Sequence, residues 1–370
     1  MSDVICNQLC KYLSHTTIWS ALKFMMQKPY DVQAKCWCLK HNKLCRRYQA
    51  DLKALSIEVA GSPCVGFSLM GSGWRFLDNS VLVFLAWIYM MRSVRPLVII
   101  HECTPLFPYK VFELLLNTGI SDPQQHYTVN SMISCSTSLG VPCKRKRRYT
   151  VLCCNRRAGA FISRPFSEEH FHEVAAVPLE LDGLVFFRDS RDAVADHKAY
   201  FARKVSMVAS SCNGVPWSWR ALLSASQMAR LREVCKWRRT SCTDDGVFLS
   251  LAQGISHQPY SLDRRVPTLI QNSLIYFCHP DESRDRMATP LEYYGMQLFP
   301  VMLPTGHWAK DIEFDEILSR SGMLEFNRAR RLCGNGMSVV SIGKLLAYVL
   351  GTTHMVAQGI LGDTERQCAR

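Results

Sequence analysis

The sequence predicts an α/β fold, on two observations. Ser56-Ile57-Glu58-Val59 reads as a strand, the 11-residue apolar run from Val81 to Met91 as a buried helix, and Pro96-Leu97-Val98-Ile99-Ile100 as a second strand. Strand, helix and strand in that order form one crossover, which lays the two strands parallel and side by side. The second observation is that Tyr127-Thr128-Val129 and Tyr149-Thr150-Val151-Leu152-Cys153 read as further strands flanking a basic turn, so the sheet continues past the crossover.

Taken in order, residues 1 to 55 contain no glycine; the first in the chain is Gly61. Asn7 to Met26 have mixed helical character, with Leu9, Leu13, Ile18, Leu22 and Phe24 as the expected buried positions. Cys36, Cys38, His41 and Cys45 follow within ten residues. Three thiols and an imidazole suit tetrahedral zinc, but Cys-x-Cys is a tighter pair than the usual spacer, and a cysteine-rich turn without metal is the alternative. The helix over Val81 to Met91 is closed by Arg92 to Arg95, and Val111 to Asn117 forms a short helix. Between about 160 and 285 the periodicity weakens. Trp217, Trp219 and Trp237 sit there among Arg220, Arg230, Arg232, Lys236, Arg238 and Arg239. Aromatics among arginines suit phosphate and base contacts; a solvated helix, Ala225 to Trp237, with tryptophans on its core side fits as well. His170 and His172, among Glu168, Glu169 and Glu173, read as surface rather than as a metal site. Met337 to Leu350 form a final apolar helix.

Lys plus Arg number 44 against 31 Asp plus Glu, an excess of 13 in 370 residues. That balance favours a polyanionic partner without specifying a sequence. Seventeen cysteines, an odd number at irregular spacing and with no secretory pattern before them, point to reduced thiols inside the cell. The longest apolar run is too short to span a bilayer, so the chain reads as soluble with no membrane partner.

Three segments carry the chemistry. Ala60-Gly61-Ser62-Pro63-Cys64-Val65-Gly66-Phe67-Ser68 presents a thiol on a tight turn after a strand. The second strand ends in His101-Glu102-Cys103, and Gly140-Val141-Pro142-Cys143-Lys144-Arg145-Lys146-Arg147-Arg148 places paired guanidinium groups beside a third. Singly, these are a small buried cysteine, a solvated glutamate, and a basic patch or nuclear-import signal. Together they resemble the DNA (cytosine-5)-methyltransferase family: its Gly-Ser-Pro-Cys-x-x-Phe-Ser turn, its Glu-Asn-Val strand end and its Gly-Val-Pro-Gln-x-Arg-x-Arg segment. Arg286-Met287-Ala288-Thr289-Pro290-Leu291-Glu292-Tyr293 to Gln297-Leu298-Phe299-Pro300 resembles the family's Thr-Pro-x-Glu … Gln-Gly-Phe-Pro segment. Arg331-Leu332-Cys333-Gly334-Asn335-Gly336-Met337 resembles its closing Gly-Asn motif. The five stand in the family's order over roughly residues 56 to 350.

The resemblance implies a Rossmann-like class I S-adenosylmethionine-dependent methyltransferase sheet, N-terminally truncated or diverged, with an inserted target-recognition region. Its expected parts are a diverged segment over 1–55, a catalytic core over 56–160, a recognition region over 161–285 and a return to the core over 286–370. It implies methyl transfer from S-adenosyl-L-methionine to C5 of cytosine in DNA, with base flipping and a covalent cysteine adduct, in the nucleus. Cys64 is then the nucleophile, Glu102 the group at N3, and Arg145 and Arg147 the holders of the base carbonyl. Ser62, Pro63, Asn335 and Gly336 line the cofactor pocket. The family's Phe-x-Gly-x-Gly turn has no counterpart here, so cofactor binding is expected weak or lost, and a catalytically silent DNA-binding relative is the alternative; RNA is a further possible substrate. Val65 stands where the family has glutamine, Cys103-Thr104 replace its Asn-Val, Cys143 replaces its glutamine and Leu298 its glycine. The Asn-Val replacement predicts loss of a partner that orients the nucleophile loop.

Overall fold

The computed structural model of the 370-residue chain describes residues 23, 35–38, 43–46, 57–62, 65–68, 73–78, 80–155, 160–162, 166–187, 191–206, 218–240, 246–254, 260–261, 263–299 and 324–355. The chain forms two compact units. One comprises Met1–Ser134, Arg147–Val174 and Leu345–Arg370, the other Cys135–Lys146 and Ala175–Lys344.

Strands β1 (Lys35–Cys38) and β2 (Lys43–Arg46) pair antiparallel, with Cys36 across from Cys45 and Cys38 across from Lys43. His41 and the thiol side chains of this hairpin lie outside the described residues, as does the expected helix over Asn7 to Met26 apart from Lys23. Among the described residues no cluster of three metal-ligating side chains occurs.

The first unit is built on the predicted crossover. β3 (Ile57–Gly61) leads through helix α1 (Val81–Val94) to β4 (Val98–Cys103), and the two strands are parallel neighbours. Helix α2 (Val111–Asn117) follows, then β5 (Tyr127–Cys135) and β6 (Lys146–Cys154). The sheet order is β3-β4-β6-β5, with β6 antiparallel to β4. This is a mixed α/β sheet of Rossmann-like character. All six residues of β4 are buried, as befits an inner strand covered on both faces, so its polar members His101 and Glu102 need partners inside the protein.

Helix α1 ends at Arg95, whose backbone turns left-handed at φ 50°. Its guanidinium donates to the Leu116 carbonyl at 3.0 Å and lies 4.6 Å over the Tyr127 ring, while Arg92 donates to the Thr118 carbonyl at 2.9 Å. The basic residues after the apolar run therefore satisfy the carbonyl end of α2. β7 (Ala160–Ile162) pairs antiparallel with a late strand introduced below, and helix α3 (Glu168–Ala175) follows it. His170 on α3 bonds the Tyr348 hydroxyl at 2.9 Å.

The second unit carries helices α4 (Arg191–Ser206) and α5 (Ala225–Thr240), then β8 (Val247–Ser250), β9 (Tyr260–Ser261), β10 (Ile275–Cys278) and β11 (Arg286–Met287). The four strands form an antiparallel sheet in the order β11-β10-β8-β9. Helices α6 (Pro290–Met296), α7 (Leu324–Asn335) and α8 (Val339–Thr352) follow, and the chain's described part closes with β12 (Thr353–Met355), the partner of β7. By length and composition Phe326–Thr352 could cross a bilayer. It is broken between α7 and α8, and Phe326, Ala329, Cys333, Leu345 and Val349 are buried, as in core helices.

Helix α6 opens on a reciprocal cap: Thr289 accepts from the Glu292 amide, Glu292 accepts from the Thr289 amide, and Pro290 fills the first turn. Glu292 is fully buried, and Arg286 grips it with two bonds, 2.9 and 2.5 Å long. The helix exit uses Leu298 at φ 58°, where the resembled family has glycine. A side chain in that region costs about 1–2 kcal/mol, which the turn's bonds from Leu298 to Gly295 and from Phe299 to Tyr294 must offset.

A second carboxylate organises the sheet. Asp285, 2 % exposed, accepts from Arg220 Nε at 2.7 Å, the Tyr276 hydroxyl at 3.1 Å and the His279 amide at 2.6 Å. Burial and this carboxylate push the Tyr276 hydroxyl well above its ordinary range, so it stays a donor. Asp285→Ala strands three donors, and its expected cost is about 3–5 kcal/mol. Urea denaturation of the full chain checks this; a loss under about 1 kcal/mol would show the network to be dispensable.

Candidate active site

The parallel register pairs Gly61 of β3 with Glu102 of β4. The turn after β3 that carries Cys64 therefore starts beside the strand end that carries Glu102. Cys64 and Pro63 themselves lie outside the described residues. On the other side of β4, Glu102 pairs with Tyr149 of β6, and Arg147, two residues from Tyr149, emerges on the same face of the sheet. Arg147 Nε meets Glu102 Oε1 at 3.0 Å, with side-chain exposures of 10 % and 7 %. The sheet thus brings two of the sequence-predicted catalytic residues together as a buried ion pair. Either charge alone at this depth would be costly, and pairing offsets that cost.

The turn's flanks are tied down from β4. Ser62 Oγ lies 2.7 Å from His101 Nε2, and Thr104 Oγ1 donates to the Phe67 carbonyl at 3.2 Å. Ser62 and Phe67 are therefore each held by a residue flanking Glu102 in sequence, His101 before it and Thr104 after it. This corrects the expectation that replacing Asn-Val by Cys103-Thr104 leaves the loop without an orienting partner. Thr104 supplies one, because its hydroxyl reaches a backbone carbonyl that valine could not bond.

His101 is enclosed by Phe84, Trp87, Phe107 and Phe112, with the Trp87 ring stacked at 5.5 Å. Burial lowers its pKa from 6.5 to about 3, so the ring is neutral at neutral pH. Among the described residues its buried Nδ1 has no hydrogen bond. A proton on Nε2, donated to Ser62, leaves only a lone pair unmet there; the other tautomer would orphan an N–H. So weak a base is suited to holding Ser62 rather than to taking protons during a reaction.

Arg145 lies in the second unit, with different partners. It is 3 % exposed, and its guanidinium donates to the Leu269 carbonyl at 3.4 Å and to the Gly336 carbonyl. The Gly334–Gly336 segment is pressed against the same loop: a Cβ on Gly334 would stand 2.2 Å from the Ile270 backbone. Beside it, burial pushes the Cys333 thiol up to about 12, with Arg145 opposing and Cys143 adding to the shift. The basic run Lys144 to Arg148 is accordingly not a uniformly solvated patch. Lys144 pairs with Asp263 at 3.3 Å, and Arg148 donates to the Pro105 carbonyl at 2.8 Å.

Of the four residues expected at S-adenosylmethionine, Ser62 and Gly336 are engaged within the protein. Ser62 commits its hydroxyl to His101, and Gly336 gives its carbonyl to Arg145 and its amide to the Leu332 carbonyl. Asn335 is exposed at the end of α7, and Pro63 is outside the described residues. What these groups do is close the protein's own turns.

The arginine-tryptophan stretch divides. Trp219 is buried and Arg220 belongs to the Asp285 network, whereas Trp237 is 38 % exposed and meets Tyr260 edge-on at 5.1 Å. Arg232 and Lys236 are exposed on α5, and Arg230 donates to the Leu251 carbonyl. Trp217 and the side chains of Arg238 and Arg239 are outside the described residues. Sequence reasoning missed His101 and Thr104 as site residues. A histidine inside an otherwise apolar strand was the available signal.

No protein-family model matches the chain, and no curated protein matches it. Solved structures that resemble it include the S. pombe Dnmt2 methyltransferase, at TM-score 0.40 and 12 % identity over 90 % of this chain and 95 % of that one. Another is the Entamoeba histolytica methyltransferase EhMeth, at TM-score 0.37 and 14 % identity over 80 % and 77 %. A third is a putative prophage-encoded DNA modification methyltransferase (E. coli), at TM-score 0.37 and 14 % identity over 82 % and 80 %. Likeness at this level assigns no activity to this chain.

The buried imidazole sets an acid limit on stability. An unfolded histidine titrates near 6.5 and His101 near 3, so between these values the unfolded chain binds more protons. The contribution is full above pH 6.5 and is lost as pH falls toward 3, in all on the order of 5 kcal/mol. His101→Phe should flatten the slope of unfolding free energy against pH in this window. An unchanged slope in the variant would place the acid sensitivity elsewhere.

Proposed function

We propose that this chain acts on cytosine in a polynucleotide through nucleophilic addition by Cys64. The observation that supports this reading most is the buried Glu102–Arg147 pair, one strand away from the turn that leads to Cys64. Cytosine C5 is a poor nucleophile until a group adds at C6. In the proposed step the Cys64 thiolate forms the S–C6 bond and the C5–C6 π electrons move into the ring. Charge then develops on the N3 and O2 edge, where N3 takes a proton from the Glu102 carboxyl and the carbonyl oxygen accepts from Arg147. The base must leave a duplex to reach them. The excess of 13 basic residues favours polyanion binding, and DNA is the partner proposed.

Transfer of a methyl group is the further step that the sequence resemblance implies, and the proposed addition does not depend on it. Because Ser62 and Gly336 are committed to His101 and Arg145, a second reading stands beside the first: a DNA-binding relative without methyl transfer. Each hydrogen bond to a charged group that a pocket fails to make costs about 1.5–3 kcal/mol. Isothermal calorimetry with S-adenosylmethionine should therefore give a dissociation constant weaker than about 1 mM, or no heat. Micromolar binding by the chain as it stands would overturn that expectation.

The addition step can be tested without any donor. Reversible attack at C6 makes the C5 hydrogen exchangeable with solvent, so a cytosine oligonucleotide incubated in heavy water should gain deuterium at C5. Cys64→Ser should abolish the gain, and Glu102→Gln or Arg147→Met should slow it by about 100-fold or more. A bound oligonucleotide that never exchanges would sink the catalytic reading and leave the binding one. Faster exchange in an RNA oligonucleotide would reassign the substrate.

A further inference from the structure

Helix α5 lays Cys235 against Cys278, the last residue of β10, with their sulfurs 3.5 Å apart. Both are reduced; Cys235 is partly accessible and Cys278 is buried. A disulfide needs about 2.05 Å, so closure requires about 1.5 Å of approach. On the far side of Cys278, Arg220 Nη2 lies 4.0 Å from the sulfur, and Arg220 is itself fixed by Asp285. We propose that Cys235 and Cys278 are a dithiol oxidation site, which a hydroperoxide converts to a disulfide joining α5 to β10. This goes beyond the cytosine chemistry and uses neither its residues nor its substrate.

The order of events follows from access and charge. Cys235, the more accessible of the two, meets the oxidant. Its thiolate attacks the O–O bond of the hydroperoxide, forming a sulfenic acid and releasing an alcohol, or water from hydrogen peroxide. The contact with Cys235, burial and the Asp285 carboxylate hold the Cys278 thiol protonated far above the usual range, with Arg220 opposing. Cys278 is thus protected from direct oxidation but placed to resolve the sulfenic acid. Its sulfur attacks Cys235 Sγ, the S–O bond breaks, and the Cys278 proton leaves with the hydroxide as water. Two thiols and one hydroperoxide give one disulfide, one alcohol and one water. Arg220 steadies the charge that builds on Cys278 sulfur as its proton leaves. The bond spans 43 residues of chain and staples the helix bearing Lys236 and Trp237 to the central sheet.

The test uses the full chain, hydrogen peroxide, and tryptic digestion without reductant after alkylation of remaining thiols. Trypsin releases Cys235 in peptide 233–236 and Cys278 in peptide 266–284, each with a single cysteine. The expected result is a linked pair of these peptides that accumulates with peroxide and disappears with dithiothreitol. The melting temperature should rise reversibly with it, on the order of 5 °C. Cys235→Ser should form no link and show no rise, with Cys278 remaining a thiol. Cys278→Ala, which keeps Cys235, should instead carry Cys235 on to sulfinic acid. Alkylation of both residues in the peroxide-treated wild type, or linkage of Cys235 to another cysteine, would overturn the proposal.

Discussion

The first unit depends on one constraint, which is that a strand buried on both faces cannot carry an unmatched polar group. β4 is such a strand, and its C-terminal half places His101 and Glu102 in the interior. Each is met from a neighbouring strand: Glu102 by Arg147 on β6, His101 by Ser62 just past β3. The same requirement that keeps the sheet stable therefore joins three segments distant in sequence at one strand end. That strand end is also where open α/β sheets commonly present their ligands.

The second unit meets a similar constraint with carboxylates. Asp285 and Glu292 are both buried, and each is held by an arginine and by backbone amides. Arg145 follows the same pattern of buried charge, with backbone carbonyls in place of carboxylates. An arginine engaged in this way orders the Gly336 turn. Its neighbour two residues on, Arg147, is paired with a carboxylate in the other unit, so two arginines of one short basic run serve two different environments.

The departures from the resembled family have local structural consequences. Thr104 takes over a bond to the loop after Cys64, and Leu298 accepts a left-handed backbone without the freedom of glycine. Ser62 and Gly336, two of the residues expected at the cofactor, bond within the protein, to His101 and to Arg145 and Leu332.

Much of the fold was legible in the sequence, because local periodicity and short crossovers dictate it. The helix over Val111 to Asn117 occupies the expected bounds, the helix from Val81 extends three residues past Met91 to Val94, and the strands carrying Glu102 and leading to Cys64 are parallel neighbours. The cap at Thr289-Pro290-Leu291-Glu292 came from the structure, although its bonds are local. The strands seen as Tyr127 to Val129 and Tyr149 to Cys153 are nine residues each, longer than their apolar centres, because pairing recruits polar flanks that periodicity ignores. Only the tertiary structure decided which guanidinium meets Glu102: Arg145 and Arg147 look alike in sequence, and register on β6 separates them. It also decided that His101 is a neutral anchor and that Cys235 touches Cys278, since burial and contact across 43 residues leave no local trace in a chain.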